Sequence, residues 1–160
     1  GHLDLFARRA AREEATPQQR EELEKMVHHA LFREYPDVAP GEPLEVRAAA
    51  MLEAAAERIG IMVAGWLRVG FCQGNFNADN CLVGGRTMDY GPFGWIDKYD
   101  PLFAKWTGSG EHFAFMNQPT AAMHNFRTLV VSVLPILGSA EQAQEILQRG
   151  AGAIGRACAD

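Results

Sequence analysis

Two carboxylates and an amide lie close together in one polar stretch of the chain. Asp79 and Asn80 are adjacent, and Asp89 follows ten positions after Asp79. Carboxylate and amide oxygens suit a hard cation, and Mg²⁺ takes only one or two protein oxygens beside water and substrate phosphates. A fold that brings Asn80 and Asp89 together would therefore hold Mg²⁺, with Asp79 as a second acid next to it.

A β-hairpin is predicted between these side chains. The predicted strands 81–83 and 86–88 are separated only by Gly84-Gly85. Two glycines between such runs indicate a tight turn, because glycine readily takes positive φ. The hairpin would place Asn80 at its entrance beside Asp89 at its exit.

The same spacing resembles the magnesium-binding half of a protein-kinase site. In the kinase pattern H-R-D-L-x-x-x-N, the position of the metal-binding Asn corresponds to Asn80, and Asp89-Tyr90-Gly91 corresponds to the D-F-G turn. Asn75 stands where the catalytic Asp belongs, and an amide cannot act as a base. Asp79 is the remaining carboxylate that could act as the base.

The segment is also similar to the signature of the SelO (selenoprotein O) family, H-G-V-x-N-T-D-N followed by I-D-Y-G-P-F-G-F. The matching positions are Gly74, Asn77, Asp79, Asn80 and 89–94, and Asn117-Gln118-Pro119 resembles a later family motif. Gln73 replaces the usual His of the signature and Ala78 the usual Thr. The geometry of the loop is the feature that these two departures affect.

The resemblance implies a protein-kinase-like fold and an adenylyltransferase that moves AMP from Mg-ATP to Ser, Thr or Tyr hydroxyls of proteins. It implies that Asp79 is the catalytic base and that Asn80 and Asp89 bind the metal, Asp89 as part of the nucleotide site. The expected fold class is mainly α with a short β-hairpin, like the large C-terminal lobe of a kinase. Residues 1–160 are expected to form one such region, without the small N-terminal lobe.

Three functional interpretations stay open. The first is protein AMPylation, and the second is kinase-type phosphoryl transfer by the same scaffold. The third is a catalytically inert relative that serves as a scaffold subunit in a larger protein assembly. Asp79 and Asp89 could also serve only as turn formers, because Asp and Asn favour turns. These alternatives leave open whether the chain is an enzyme by itself.

The composition narrows the classes of partner. The chain has 160 residues, suited to one domain, and a net charge of −5, which gives no reason to expect nucleic acid or an anionic membrane as partner. It contains no 18-residue apolar run, so no membrane span is predicted. The three cysteines favour a reduced, intracellular protein. The family resemblance suggests the cytoplasm of a bacterium, or a mitochondrion or plastid of a eukaryote, with ATP and protein substrates as partners.

Helices are predicted on both sides of this segment. Thr16-Pro17 begins one that ends near Tyr35, because Pro36 disfavours helical geometry in the residue before it. The others are a short helix over 3–10, a long one over 44–67 capped by Gly70, one from Pro119 towards Pro135, and one over 140–154 whose end, 150–155, is expected to fray. The stretch 90–118 has no sustained period and is expected to be irregular, at the position of a kinase activation segment.

Overall fold

The computed structural model describes residues 2–12, 16–88, 90, 94–104 and 111–159. The helices are α1 (His2–Ala10), α2 (Pro17–Glu34), α3 (Leu44–Arg68), α4 (Gln118–Val133) and α5 (Ala140–Ala159). Strands β1 (Cys81–Leu82) and β2 (Arg86–Thr87) pair antiparallel, and two 3₁₀ helices, Glu111–Phe113 and Phe115–Asn117, precede α4. The prediction of a mainly helical chain with one short hairpin is confirmed. None of the described helices has the length and apolar character needed to cross a bilayer.

Helix α3 forms the centre of the core and packs against α2, α4 and α5. Its apolar residues recur three and four positions apart, so that they lie on one face. The fully buried members of that face are Ala48, Met51, Leu52, Ala55, Ala56, Ile59 and Val63. The buried face of α4, with Phe126 and Val130, joins the same cluster. Removal of this apolar surface from water is the main stabilising contribution of the arrangement.

The predicted start and end of α2 are confirmed. The N–H of Gln19 donates to Oγ1 of Thr16 at 3.3 Å, and the Thr16 N–H donates to Oε1 of Gln19 at 3.1 Å. This reciprocal capping box satisfies two backbone donors that the first helical turn leaves unpaired. The helix ends at Glu34, one residue before Tyr35 and two before Pro36.

The predicted fraying of the last helix is wrong, because α5 continues to Ala159. Gly150 is buried against the ring of Phe126, and the absence of a side chain there lets α5 approach α4 closely. In α3, Gly60 does the same, since a Cβ at that position would lie 3.1 Å from the Cβ of Ala157. Gly150 of α5 and Gly60 of α3 therefore belong to helix–helix contacts of α5. A Cβ at Gly65, also in α3, would have no neighbouring atom within 4 Å.

We predict that Gly150→Ala destabilises the protein by about 1–3 kcal/mol, because the new methyl group would overlap the buried Phe126 ring. The matched control is Gly155→Ala in the same helix, where the nearest heavy atom is the flexible Met123 Cε at 3.7 Å. That variant should be unchanged or more stable by up to about 1 kcal/mol, from helix propensity. The free energy of unfolding from denaturant titration measures both. Equal effects of the two changes would contradict the packing assigned to Gly150.

Candidate active site

The polar loop begins where α3 ends. Gly70 has φ +69°, its N–H donates to Leu67 O, and the Phe71 N–H donates to Trp66 O at 2.8 Å. This pair of bonds is a Schellman motif, and the accompanying apolar contact is present because the rings of Phe71 and Trp66 lie 5.6 Å apart. The predicted cap at Gly70 is confirmed. A bridge between Phe71 and Trp95 then fixes the first residue of the loop.

A buried amide of α4 holds the backbone of the loop. Gln118 is 1% exposed; its Nε2 donates to Phe71 O at 2.9 Å and its Oε1 accepts from the Gln73 N–H at 3.0 Å. A second amide of α4, Asn125, donates to Phe76 O at 2.9 Å. Backbone polar groups buried away from water need such partners. Helix α4 therefore sets the position of residues 71–76.

Asn77 shapes the part of the loop that presents Asp79. Its Oδ1 accepts the N–H groups of Asp79 at 3.0 Å and Asn80 at 3.2 Å, and its Nδ2 donates to Asn75 Oδ1 at 3.3 Å. An Asn side chain that bonds the backbone two residues ahead forms an Asx turn. The side chain of Asp79 is exposed at the tip of this turn. The structure thus gives the turn-forming role to Asn77, and Asp79 faces solvent.

The side chain of Asn80 has a defined orientation. It is half-buried, and its Nδ2 donates to Asn75 O at 2.8 Å. Only the NH₂ end of an amide can donate, so this contact assigns Nδ2 to the loop and turns Oδ1 the other way. The backbone oxygen of Asn80 accepts from the N–H of Met88 and from Thr87 Oγ1. The amide oxygen is therefore presented by a residue held at both its side chain and its backbone.

The hairpin has a different turn from the predicted one. Leu82 pairs with Arg86, so the loop contains three residues, 83–85, and not two glycines alone. The N–H of Gly85 donates to Leu82 O at 3.0 Å, and Gly85 alone of the two glycines has positive φ, at +73°. This is the three-residue hairpin in which a turn is followed by a left-handed residue.

Two contacts tie the hairpin to α2. The Arg86 guanidinium donates to both carboxylate oxygens of Glu34 at 2.6 Å, and the Tyr35 hydroxyl donates to Val83 O at 2.6 Å. Burial, the largest cause, raises the pKa of Tyr35 to about 12, so the phenol is protonated and remains a donor at neutral pH. The hairpin is thus fixed to the end of α2 at its turn.

Asp89 lies outside the described residues, as do 91–93. The pairing of the two strands extends to Met88, whose N–H donates to Asn80 O at 3.1 Å. Met88 is the residue before Asp89 in the chain. The side-by-side placement of Asn80 and Asp89 stays a prediction.

A cleft of about 900 Å³ opens next to Asp79 and Asn80. Its walls come from α1, α2, α4 and the hairpin, and they include the apolar side chains of Met26, Leu82 and Leu129. Volumes of 300–1,000 Å³ are typical of small-molecule sites with a few polar groups at fixed places. The acid and the amide therefore border a space of the size that a nucleotide needs.

Cys81 lies next to Asn80 and is a protonated thiol when no metal is bound. Burial raises the pKa of the Cys81 thiol to about 12, so the sulfur is protonated at neutral pH. Cys72 is fully buried, whereas Cys81 and Cys158 are half-buried. Within the described part of the chain, no group of three His, Cys, Asp or Glu is placed to hold a metal.

The sequence matches the family described as protein adenylyltransferase SelO over residues 12–150. Curated relatives named protein nucleotidyltransferase YdiU are 40% identical over 124 residues in Xanthomonas campestris and 38% over 125 in Aromatoleum aromaticum. A third, from Variovorax paradoxus, is 36% identical over 150 residues, 92% of this chain. The chain belongs to the SelO family.

The match covers only part of those relatives. The first two alignments take in 76% and 77% of this chain but 24% of each relative, and the third takes in 29% of its relative. The chain therefore spans about a quarter of the length of the curated relatives it matches.

The sequence did not reveal the polar side chains that form hydrogen bonds with the backbone of the loop. Gln118 was noted only as part of a motif, and Asn125 and Thr87 were assigned no role. The available signal was a polar side chain on the apolar face of the helix predicted from Pro119, where Asn125 lies near Ala122. Gln118 stands one residue before that predicted start and continues the same face. A buried amide among apolar neighbours indicates a hydrogen-bond partner brought by another element.

We predict that Gln118→Met destabilises the protein by about 2–4 kcal/mol, because it leaves two buried backbone groups, Gln73 N–H and Phe71 O, without their partner. Gln148→Met is the matched control, since Gln148 is exposed on α5, and it should stay within about 0.5 kcal/mol of the wild type. Amide hydrogen exchange gives the local test: protection of the Gln73 amide should fall in the first variant and not in the second. Retained protection at Gln73 would refute the anchoring role of Gln118.

Proposed function

We propose that this chain carries the catalytic loop of a nucleotidyltransferase that moves AMP from Mg-ATP to a hydroxyl group of a protein. Membership of the SelO family supports the class of reaction. The observation that carries the proposal is the loop itself: Asn77 turns Asp79 outward at the rim of the cleft, directly beside the oriented amide of Asn80. An acid and a hard oxygen donor at one edge of a ligand-sized cleft are the groups that such a transfer requires.

The residues fit a magnesium ion by their donor chemistry. Asn80 Oδ1 points away from the loop, and together with the carboxylate of Asp89 it would provide two oxygen ligands. Bound there with the nucleotide, Mg²⁺ neutralises negative charge on the phosphates. Asn80 and Asp89 are the metal ligands of the proposal, and Asp89 also belongs to the nucleotide site.

Asp79 is the proposed general base. Its carboxylate takes the proton of the acceptor hydroxyl, and the hydroxyl oxygen forms a bond to the α-phosphorus of ATP. The bond from that phosphorus to the oxygen bridging to the β-phosphate breaks, and pyrophosphate leaves with the bonding electrons. A positioned base of this kind contributes about 10²–10⁴-fold to the rate.

The order of elements supports a kinase-like large lobe as the finer description of the fold. A long apolar helix, α3, runs into a polar loop and a hairpin, and two 3₁₀ helices precede a further buried helix, α4. We propose that residues 1–160 act as one region of this kind. The relatives are about four times as long as the matched part, so further contacts to the nucleotide are proposed to come from outside it.

We predict that Asp79→Asn in the complete protein lowers AMP transfer about 10²–10⁴-fold, because the amide cannot accept the proton. The readout is incorporation of α-phosphate-labelled ATP into protein. Asp37→Asn is the matched control, since Asp37 is exposed in the turn after α2, away from the loop, and it should leave the rate unchanged. Transfer at the wild-type rate in Asp79→Asn would exclude the assigned base.

A second candidate function is phosphoryl transfer, favoured by the kinase-like spacing of Asn80 and Asp89. The same incubation distinguishes the two reactions. Label from the α-phosphate on protein indicates AMP transfer, and label from the γ-phosphate indicates phosphoryl transfer. Absence of both from the complete protein would favour the inert scaffold.

A further inference from the structure

Four residues of the loop and hairpin form a closed ring of hydrogen bonds. Gln73 Nε2 donates to Thr87 Oγ1 at 3.4 Å, and Thr87 Oγ1 donates to Asn80 O at 2.9 Å. Asn80 Nδ2 donates to Asn75 O at 2.8 Å, and the Asn75 N–H returns to Gln73 Oε1 at 2.7 Å. Every member donates once to the next, so all four bonds run in the same sense around the ring. The bonds on either side of the Gln73 amide and of the Thr87 hydroxyl pass through one polar group each, so they polarise one another.

We propose that Gln73 and Thr87 are positioning residues for Asn80, which the ring holds so that its Oδ1 faces a nucleotide-bound divalent cation. This inference rests on the proposed function, since it needs Asn80 to be a metal ligand. Hydrogen bonds of the ring engage the backbone oxygen and the Nδ2 of Asn80, and these two groups fix where Oδ1 lies. Oδ1 is the atom of that side chain left over for a cation.

Burial makes the ring difficult to replace with water. Gln73 is 4% exposed and Thr87 is 7% exposed. Gln73 is itself fixed, because its N–H donates to the buried Gln118 of α4. The restraint on Asn80 thus extends from the helical core to the site. Removal of a group that orients a metal ligand typically costs 10–100-fold in metal affinity or activity.

The side chain of Gln73 is well suited to its place in the ring. It must accept from Asn75 and donate to Thr87 at the same time, and an amide does both without any change of protonation. This accounts physically for an amide at a position where the SelO signature has His. The loop geometry that the departure affects is here maintained by the Gln73 side chain itself.

The test measures metal binding directly, with Mn²⁺ as the probe and a non-hydrolysable ATP analogue present in excess. Free Mn²⁺ is followed by electron paramagnetic resonance in the complete protein. Thr87→Val keeps the shape and strand preference but removes the hydroxyl, and it should raise the Kd for Mn²⁺ about 10–100-fold. Thr87→Ser restores the hydroxyl and should stay within about threefold of the wild type. Thr120→Val, an exposed change at the start of α4, is the control and should have no effect.

A second variant that removes ring hydrogen bonds provides the test if Thr87→Val does not fold. Gln73→Met removes the two bonds that the Gln73 side chain makes in the ring and should give a similar loss of Mn²⁺ affinity. Asn80→Leu is the reference for loss of the ligand itself. If Asn80→Leu weakens Mn²⁺ binding while Thr87→Val and Gln73→Met bind as the wild type does, the positioning role is overturned and the metal site stands. If Asn80→Leu also binds Mn²⁺ normally, the metal site fails and the positioning role fails with it.

Discussion

The structure depends on how the polar loop after α3 satisfies its backbone inside a helical core. The loop begins at Phe71, which packs on Trp66, so its first residues cannot rely on water for hydrogen bonds. An unpaired buried peptide group costs about 1–3 kcal/mol. Two amides of α4, Gln118 and Asn125, provide the missing partners. The core thereby determines where the loop side chains that are proposed to take part in the reaction emerge.

This constraint explains why the site divides into a buried side and an exposed side. On the buried side, amides and hydroxyls are paired, and the described side chains leave no buried polar atom without a partner. On the exposed side, Asp79 stands on a turn that Asn77 closes. A hydrogen-bonded buried side with an exposed acid opposite it suits the proposed chemistry on a large substrate such as a protein. It also means that a change in α4 can alter the site without touching it.

Much of the fold could be predicted from local signals. The capping box at Thr16, the stop before Pro36 and the glycine cap at Gly70 each depend on neighbouring residues, and each is confirmed. The end of α5 was predicted wrongly because glycine there was judged by propensity alone, whereas Gly150 fits the Phe126 ring of another helix. The prediction of the hairpin turn was wrong for a related reason. The register of the two strands depends on contacts with α2, which is distant in the sequence. The hydrogen-bond ring joins residues up to fourteen positions apart, and only the fold brings them together.

The central claim is that Asn80 and Asp89 together bind a metal on the nucleotide. The most direct measurement is the anomalous diffraction of Mn²⁺ in crystals of the complete protein with a non-hydrolysable ATP analogue. The account predicts a metal peak at about 2.0–2.2 Å from Asn80 Oδ1 and from a carboxylate oxygen of Asp89, where octahedral Mg²⁺ would bind at similar distances. A peak bound by other side chains, with the Asn80 amide oxygen turned into the protein, would contradict it.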